Sequence, residues 1–233
     1  MKFISTLSAT VALVSAVPLS ESAPPGEAAQ LEARQLRTTR NDLEDGDPAD
    51  CPSAILIYAR GTTEPGNMGT VVGPPLASSL EDEFPDIWVQ GVGGPYTADF
   101  APNALPKGTD QESIDEAKRL FTLANTKCPD TPVVTGGYSQ GSAVVGNALT
   151  ESNATIQDQV AGAVLFGYTK NQQNDGRIPN FPEEKTSVEC RAGDAVCRGT
   201  LTILPAHFLY GSEARDEAPA FLTQQINAAA TKN

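Results

Sequence analysis

The chain has 233 residues and a formal net charge of -13, with 29 acidic residues against 16 Lys and Arg. That length suits one domain with a sizeable core. The acidic excess argues against a nucleic-acid partner, which wants a basic face, and favours solubility.

Residues 1–16 read as a secretory signal peptide. Lys2 supplies the positive start, residues 3–14 are mostly apolar, and Val14-Ser15-Ala16 is a small-residue cleavage site. The apolar run is too short for a membrane span, so the protein is expected to be secreted and extracellular. Residues 17–50 are rich in Pro, Ala, Glu and Asp and include Asp42-Leu43-Glu44-Asp45-Gly46-Asp47. Such a stretch buries too little apolar area to offset its ordering entropy. It reads as a propeptide or flexible segment, with Arg34 or Arg37 as a processing site, and the folded domain is expected over residues 51–233.

From Cys51 onward, strands and helices alternate. Ala54-Ile55-Leu56-Ile57-Tyr58 is a continuous apolar run, as in a strand covered on both faces. Residues 59–69 form a loop broken by Gly61, Pro65 and Gly66, and residues 71–84 read as a helix begun near Pro74-Pro75. A strand is expected over residues 87–92. Residues 111–125 carry Ile114, Ala117, Leu120, Phe121 and Ala124 on one helical face. Further strands are expected near residues 133–135, 160–167 and 186–190, and a closing helix over residues 218–230. The alternation predicts an α/β fold with a mostly parallel sheet and helices on both faces.

The stretch around which this is arranged is Gly137-Tyr138-Ser139-Gln140-Gly141, a Gly-x-Ser-x-Gly pattern. The β-branched Val133, Val134 and Thr135 precede it, and small or apolar residues free of proline follow it. Strand, sharp turn and helix is the context of a nucleophile elbow, which lifts the serine hydroxyl to the end of a sheet. Side chains at Gly137 or Gly141 would collide with the adjoining strand or helix.

The sequence holds one histidine, His207, so an imidazole that activates Ser139 has to be that one. The chain order serine, acid, histidine requires an acid between the two. Asp158, Asp175, Glu183, Glu184, Glu189 and Asp194 are candidates, with Glu151 less suited. Four cysteines in a secreted chain make two disulfides the default, in one of three connectivities. Cys190 and Cys197 are near neighbours, and pairing them leaves Cys51 with Cys128. The long link would stabilise by roughly 4–5 kcal/mol and the short one by roughly 2–3 kcal/mol, so the short one reads as a device to fix a loop. Asp194 lies inside that loop, just after the last strand, where an acid can hold one ring nitrogen in one direction. CxxC pairs and further histidines are missing, so no metal or cofactor is expected.

Several segments together resemble the secreted cutinases and their close relatives, the acetylxylan esterases. They are residues 59–67 (ARGTTEPGN), Gly91-Val92-Gly93-Gly94, the elbow, Leu165-Phe166-Gly167-Tyr168-Thr169-Lys170-Asn171, and the 190–197 loop followed by His207. The resemblance covers essentially the whole chain from Cys51. It implies a small α/β-hydrolase with about five parallel strands and no large lid. It also implies a catalytic set of Ser139, Asp194 and His207, and an oxyanion hole from the backbone of Gln140 and Thr62. Asn103 is then the support for the Thr62 hydroxyl; many relatives have serine where this chain has Thr62. Phe100 and Leu105 on one side, and Leu201, Ile203 and Leu204 on the other, are implied as the lips of the site. The implied activity is a secreted serine esterase acting on insoluble, cutin-like polyester and short acyl esters, with acetylated xylan as the alternative. A monomer is expected. A catalytically silent binding protein on this scaffold would be expected to lack part of the set, and every part is present. Asn153-Ala154-Thr155 is a glycosylation sequon.

Overall fold

The computed structural model describes residues 37–231. Its elements run α1 (Asp42–Asp45), β1 (Ile55–Ala59), α2 (Gly73–Glu83), β2 (Trp88–Gly91), α3 (Gln111–Lys127), β3 (Val133–Tyr138), α4 (Gln140–Glu151), α5 (Ala154–Gln159), β4 (Val160–Phe166), β5 (Thr186–Glu189) and α6 (Glu217–Ala230). The strands form one five-stranded sheet in the order β2-β1-β3-β4-β5, with every neighbouring pair parallel. β1, β3 and β4 are buried along their whole length, which is why β1 and β4 read as unbroken apolar runs; in β3 the buried Thr135 hydroxyl donates to the Ile57 carbonyl at 2.7 Å. β5 is an edge strand and only half-buried.

Alternation along β1 divides the core. Ile55, Ile57 and Ala59 point to one face, where they meet Ile114, Leu120 and Phe121 of α3 and Val145 and Leu149 of α4. Leu56 and Tyr58 point to the other, against Leu76 and Leu80 of α2 and Leu222 and Ile226 of α6. The helix ends follow local chemistry. Asp110 Oδ1 accepts the Ser113 N–H at 2.7 Å at the start of α3. Pro74 and Pro75 occupy the first turn of α2, where a missing N–H is no loss. α5 is a separate short helix, because Asn153 caps it by accepting the Ile156 N–H at 3.1 Å.

The packed body begins earlier than the expected Cys51. Asn41 bridges antiparallel to Gln90 along the outer edge of β2, and Leu43 is fully buried in the core beside α3. Lys127 Nζ donates to the carbonyls of Leu43, Glu44 and Gly46, each at 2.9 Å, at the carboxyl end of α1. Arg40 pairs with Asp42 at 2.5 Å and Glu81 at 2.7 Å, and Arg119 pairs with Glu44 at 2.6 Å. Acidity that suggested a solvated tail is thus matched by bases from α3 and by Arg40. The signal peptide expected over residues 1–16, and the expected segment as far as residue 36, lie outside the described residues. Among the described residues, no helix is long and apolar enough to cross a membrane.

Both disulfides form as paired from the sequence. Cys51–Cys128 ties the chain before β1 to the end of α3, and Cys190–Cys197 closes a loop directly after β5.

Candidate active site

Ser139 sits between β3 and α4 with φ 54° and ψ -120°, a backbone conformation outside the favoured regions. The strain is held from several sides. The Ser139 N–H donates to the Phe166 carbonyl at 2.9 Å, and the Ser142 hydroxyl donates back to the Ser139 carbonyl. The two glycines are there because backbone passes so close. A Cβ on Gly137 would lie 2.4 Å from the Gly141 carbonyl oxygen, and one on Gly141 would lie 2.0 Å from the Ala59 carbonyl oxygen. The turn delivers the hydroxyl to the carboxyl ends of β1, β3 and β4, where the loops that follow these strands converge.

His207 comes from the 3₁₀ turn Pro205–Phe208, and Asp194 from the disulfide-closed loop. His207 Nε2 lies 2.9 Å from Ser139 Oγ, and Nδ1 lies 2.8 Å from Asp194 Oδ2. A carboxylate only accepts, so Nδ1 carries the ring hydrogen and Nε2 is left to accept the serine proton. His207 and Asp194 are each 2% exposed and Ser139 7%, so the chain of hydrogen bonds is shielded from water except at its serine end. Asp194 Oδ1 also accepts the Val196 N–H at 3.0 Å, which fixes the carboxylate plane.

Gln140 is the first residue of α4, so its backbone N–H has no acceptor within the helix and sits at the positive end of the helix dipole. Its side chain is fully buried and donates to the Asp99 carbonyl at 2.8 Å, tethering the 99–105 segment to the elbow. Asn103 Nδ2 donates to the Thr62 hydroxyl at 3.0 Å and to the Phe100 carbonyl at 2.9 Å. The loop carrying Thr62 is pinned by two residues not singled out from the sequence. Glu64 accepts the backbone N–H groups of Gly61, Thr70 and Val71 at 2.7–2.9 Å. The Arg60 guanidinium donates to the carbonyls of Glu64 and Thr97 at 2.8 and 2.9 Å.

A cleft of about 220 Å³ opens over Ser139 and His207, lined also by Thr62, Phe100, Leu201 and Ile203. Its rim is apolar and open to solvent, with Phe100 66% and Phe208 57% exposed. Leu105 and Leu204, named with the lips, are exposed but do not line the cleft; Val196 and Phe208, not named, do. The remaining candidate acids lie elsewhere. Asp175 is exposed in a turn with φ 51°, Glu183 pairs with Arg177 at 2.7 Å, and Asp158 is exposed on α5. Two tyrosines complete the surroundings of His207. The Tyr138 hydroxyl donates to the His207 carbonyl at 2.7 Å, and the Tyr210 hydroxyl donates to Asp194 Oδ2 at 2.6 Å. Nothing in the sequence around Tyr210 signals this contact.

The protein-family model described as Cutinase matches residues 50–226. The chain belongs to the cutinase family. Cutinase CUT1 of Pyricularia oryzae is 59% identical over 230 residues, which cover 98% of this chain and 100% of that protein. A cutinase of Colletotrichum truncatum is 55% identical over 229 residues, covering 97% and 100%. Among solved structures, a Trichoderma reesei cutinase in complex with a C11Y4 phosphonate inhibitor superposes with a TM-score of 0.70 at 34% identity, covering 86% of this chain and 85% of that one. The catalytic core domain of acetyl xylan esterase from Trichoderma reesei shares the fold at 21% identity and a TM-score of 0.59, covering 76% and 100%. This cutinase-family chain is accordingly a carboxylic ester hydrolase.

Proposed function

We propose that the chain is a secreted serine esterase that cleaves cutin-like polyester and short-chain acyl esters through an acyl-enzyme. Ser139 is the nucleophile, His207 the general base and acid, and Asp194 the group that orients the imidazole. The observation that carries this reading is the continuous chain from Ser139 Oγ through His207 to Asp194 at the floor of an open, apolar-rimmed cleft.

Ser139 Oγ attacks the ester carbonyl carbon while its proton passes to His207 Nε2. Negative charge gathers on the carbonyl oxygen, which the backbone N–H groups of Gln140 and Thr62 stabilise. The tetrahedral species collapses, the C–O bond to the alcohol breaks, and the alcohol leaves with the proton from Nε2. Water then attacks the acyl-serine, giving its proton to Nε2, and the acid departs as Ser139 regains its hydrogen. Asp194 keeps its negative charge throughout and stabilises the imidazolium of both intermediates.

The exposed Phe100, Leu201, Ile203 and Phe208 favour contact with an apolar, insoluble ester over a hydrated polysaccharide. A panel of p-nitrophenyl esters of increasing acyl length, run beside cutin and acetylated xylan, tests the reading. Release of monomers from cutin together with turnover of butyrate-length esters is expected. Activity confined to acetyl esters, with none on cutin, overturns the polyester assignment in favour of deacetylation of cell-wall polysaccharide. Recovery of the active enzyme from the medium of an expressing culture tests secretion.

A further inference from the structure

We propose that Tyr210 is a positioning residue for the triad, its hydroxyl aiming the Asp194 carboxylate at His207 and moderating how strongly that carboxylate draws the imidazole hydrogen. The inference rests on the reading of Asp194 as the triad acid.

One oxygen carries both contacts. Asp194 Oδ2 accepts from His207 Nδ1 at 2.8 Å and from the Tyr210 hydroxyl at 2.6 Å, while Oδ1 is occupied by the Val196 N–H. Tyr210 is fully buried, and its oxygen also accepts the Arg191 N–H at 3.2 Å. It therefore links the start of the disulfide-closed loop to the acid inside that loop. The ring cannot swing away, because it is packed edge-on against Tyr138 and Phe166, each at 6.1 Å between centroids, and against His207 at 6.4 Å.

A phenol donor bonded to a carboxylate stabilises the charged form. An oxygen shared between two donors is also a weaker acceptor for each. Without the Tyr210 hydroxyl, the imidazole would be the sole side-chain donor to Asp194 Oδ2, and the stronger bond would favour the imidazolium, which cannot accept the Ser139 proton. Burial and the bond to Asp194 push the ionisation of Tyr210 far up, so it stays a donor over the working range. The other ionisable groups around the pair are engaged elsewhere. Tyr138 donates to the His207 carbonyl, Arg191 pairs with Glu213 at 3.2 Å, and Glu64 is held by three backbone N–H groups.

The test compares Tyr210→Phe with Tyr168→Phe, a buried tyrosine whose hydroxyl accepts only from Asn174 among the bonds described. Both are measured on p-nitrophenyl butyrate in the wild-type and Asp194→Asn backgrounds. Tyr210→Phe is expected to lower kcat roughly tenfold with little change in KM, as for loss of a bond to a charged group. It is also expected to move the acid limb of kcat/KM to higher pH, an assignable change because the chain has one histidine. Tyr168→Phe should do neither, and in the Asp194→Asn background Tyr210→Phe should cost less than about twofold, the two residues acting as one unit. An unmoved acid limb, or the same loss with and without Asp194, overturns the proposal and leaves Tyr210 a packing residue. A fully active Asp194→Asn enzyme overturns the triad reading itself. Should Tyr210→Phe fail to fold, Tyr210→3-fluorotyrosine keeps the shape with a stronger donor, and the limb should then move to lower pH; no movement overturns the proposal.

Discussion

Gly167 forms the wall behind His207. A Cβ at Gly167 would stand 2.8 Å from His207 Cε1 and 3.1 Å from Asp194 Oδ2, and the residue has φ 54°. Gly167→Ala is therefore expected to act on the site before it acts on the fold. The left-handed backbone costs about 1–2 kcal/mol for a residue with a Cβ. The methyl group also displaces the imidazole from Ser139, and small misplacements at a reacting group cost up to about a hundredfold in rate. Kinetics beside thermal unfolding check this. A mutant with kcat within about twofold of wild type would mean that the ring tolerates displacement.

Ser139→Ala should lower kcat by about six orders of magnitude with the fold intact, leaving what the oxyanion donors and binding contribute. Asp194→Asn should lower kcat by about four orders, since an amide can hold the ring in the wrong tautomer. Asp175→Asn, in its exposed turn, should stay near wild type. Steady-state rates on one soluble ester decide it. An Asp175→Asn enzyme that is crippled while Asp194→Asn is active would refute the assignment of the acid.

Leu43→Ala measures whether the segment before Cys51 belongs to the domain. Leu43 is fully buried beside α3 and β2, so the cavity left by truncation should cost about 2–5 kcal/mol. The urea midpoint should fall accordingly with an unchanged slope. A shift below about 0.5 kcal/mol would place the segment outside the cooperative unit.

All five tyrosines of the chain, Tyr58, Tyr96, Tyr138, Tyr168 and Tyr210, are at most 3% exposed. Burial is the leading cause that raises the pKa of each, to about 12 for Tyr168 and higher for the rest. Their folded values lie above the unfolded value of about 10, so their stabilising contribution is complete below pH 10 and declines as pH rises beyond it. Each adds a slope of about 1.4 kcal/mol per pH unit once the unfolded chain is ionised, and five together approach the whole stability of a typical domain within one to two units. Absorbance at 295 nm should therefore rise cooperatively, together with loss of circular dichroism. A gradual titration centred near pH 10 in a folded protein would contradict this.

Some features were legible because they are local. The elbow needs Gly137 because a Cβ there would meet Gly141 within the turn itself, and the apolar runs of β1 and β4 follow from burial on both faces of a parallel sheet. A single histidine reduced the choice of a candidate base to His207, and the close spacing of Cys190 and Cys197 singled out the loop that carries Asp194. Other features exist only as contacts between distant parts of the chain. Leu43 looks like one apolar residue in an acidic tail until Lys127, Arg40 and Arg119 arrive to match its neighbours. Leu105 and Phe208 have equal claim to the rim by composition, and only the path of the backbone puts Phe208 over the cleft and Leu105 outside it. Tyr210 has no signature of its own, because the oxygen it bonds belongs to a loop sixteen residues earlier. Composition and spacing determine turns and strands, since those depend on near neighbours, and they single out the candidate serine, histidine and acid-bearing loop. Which side chains brace those groups depends on packing across the sheet, and that was decided by the tertiary structure alone.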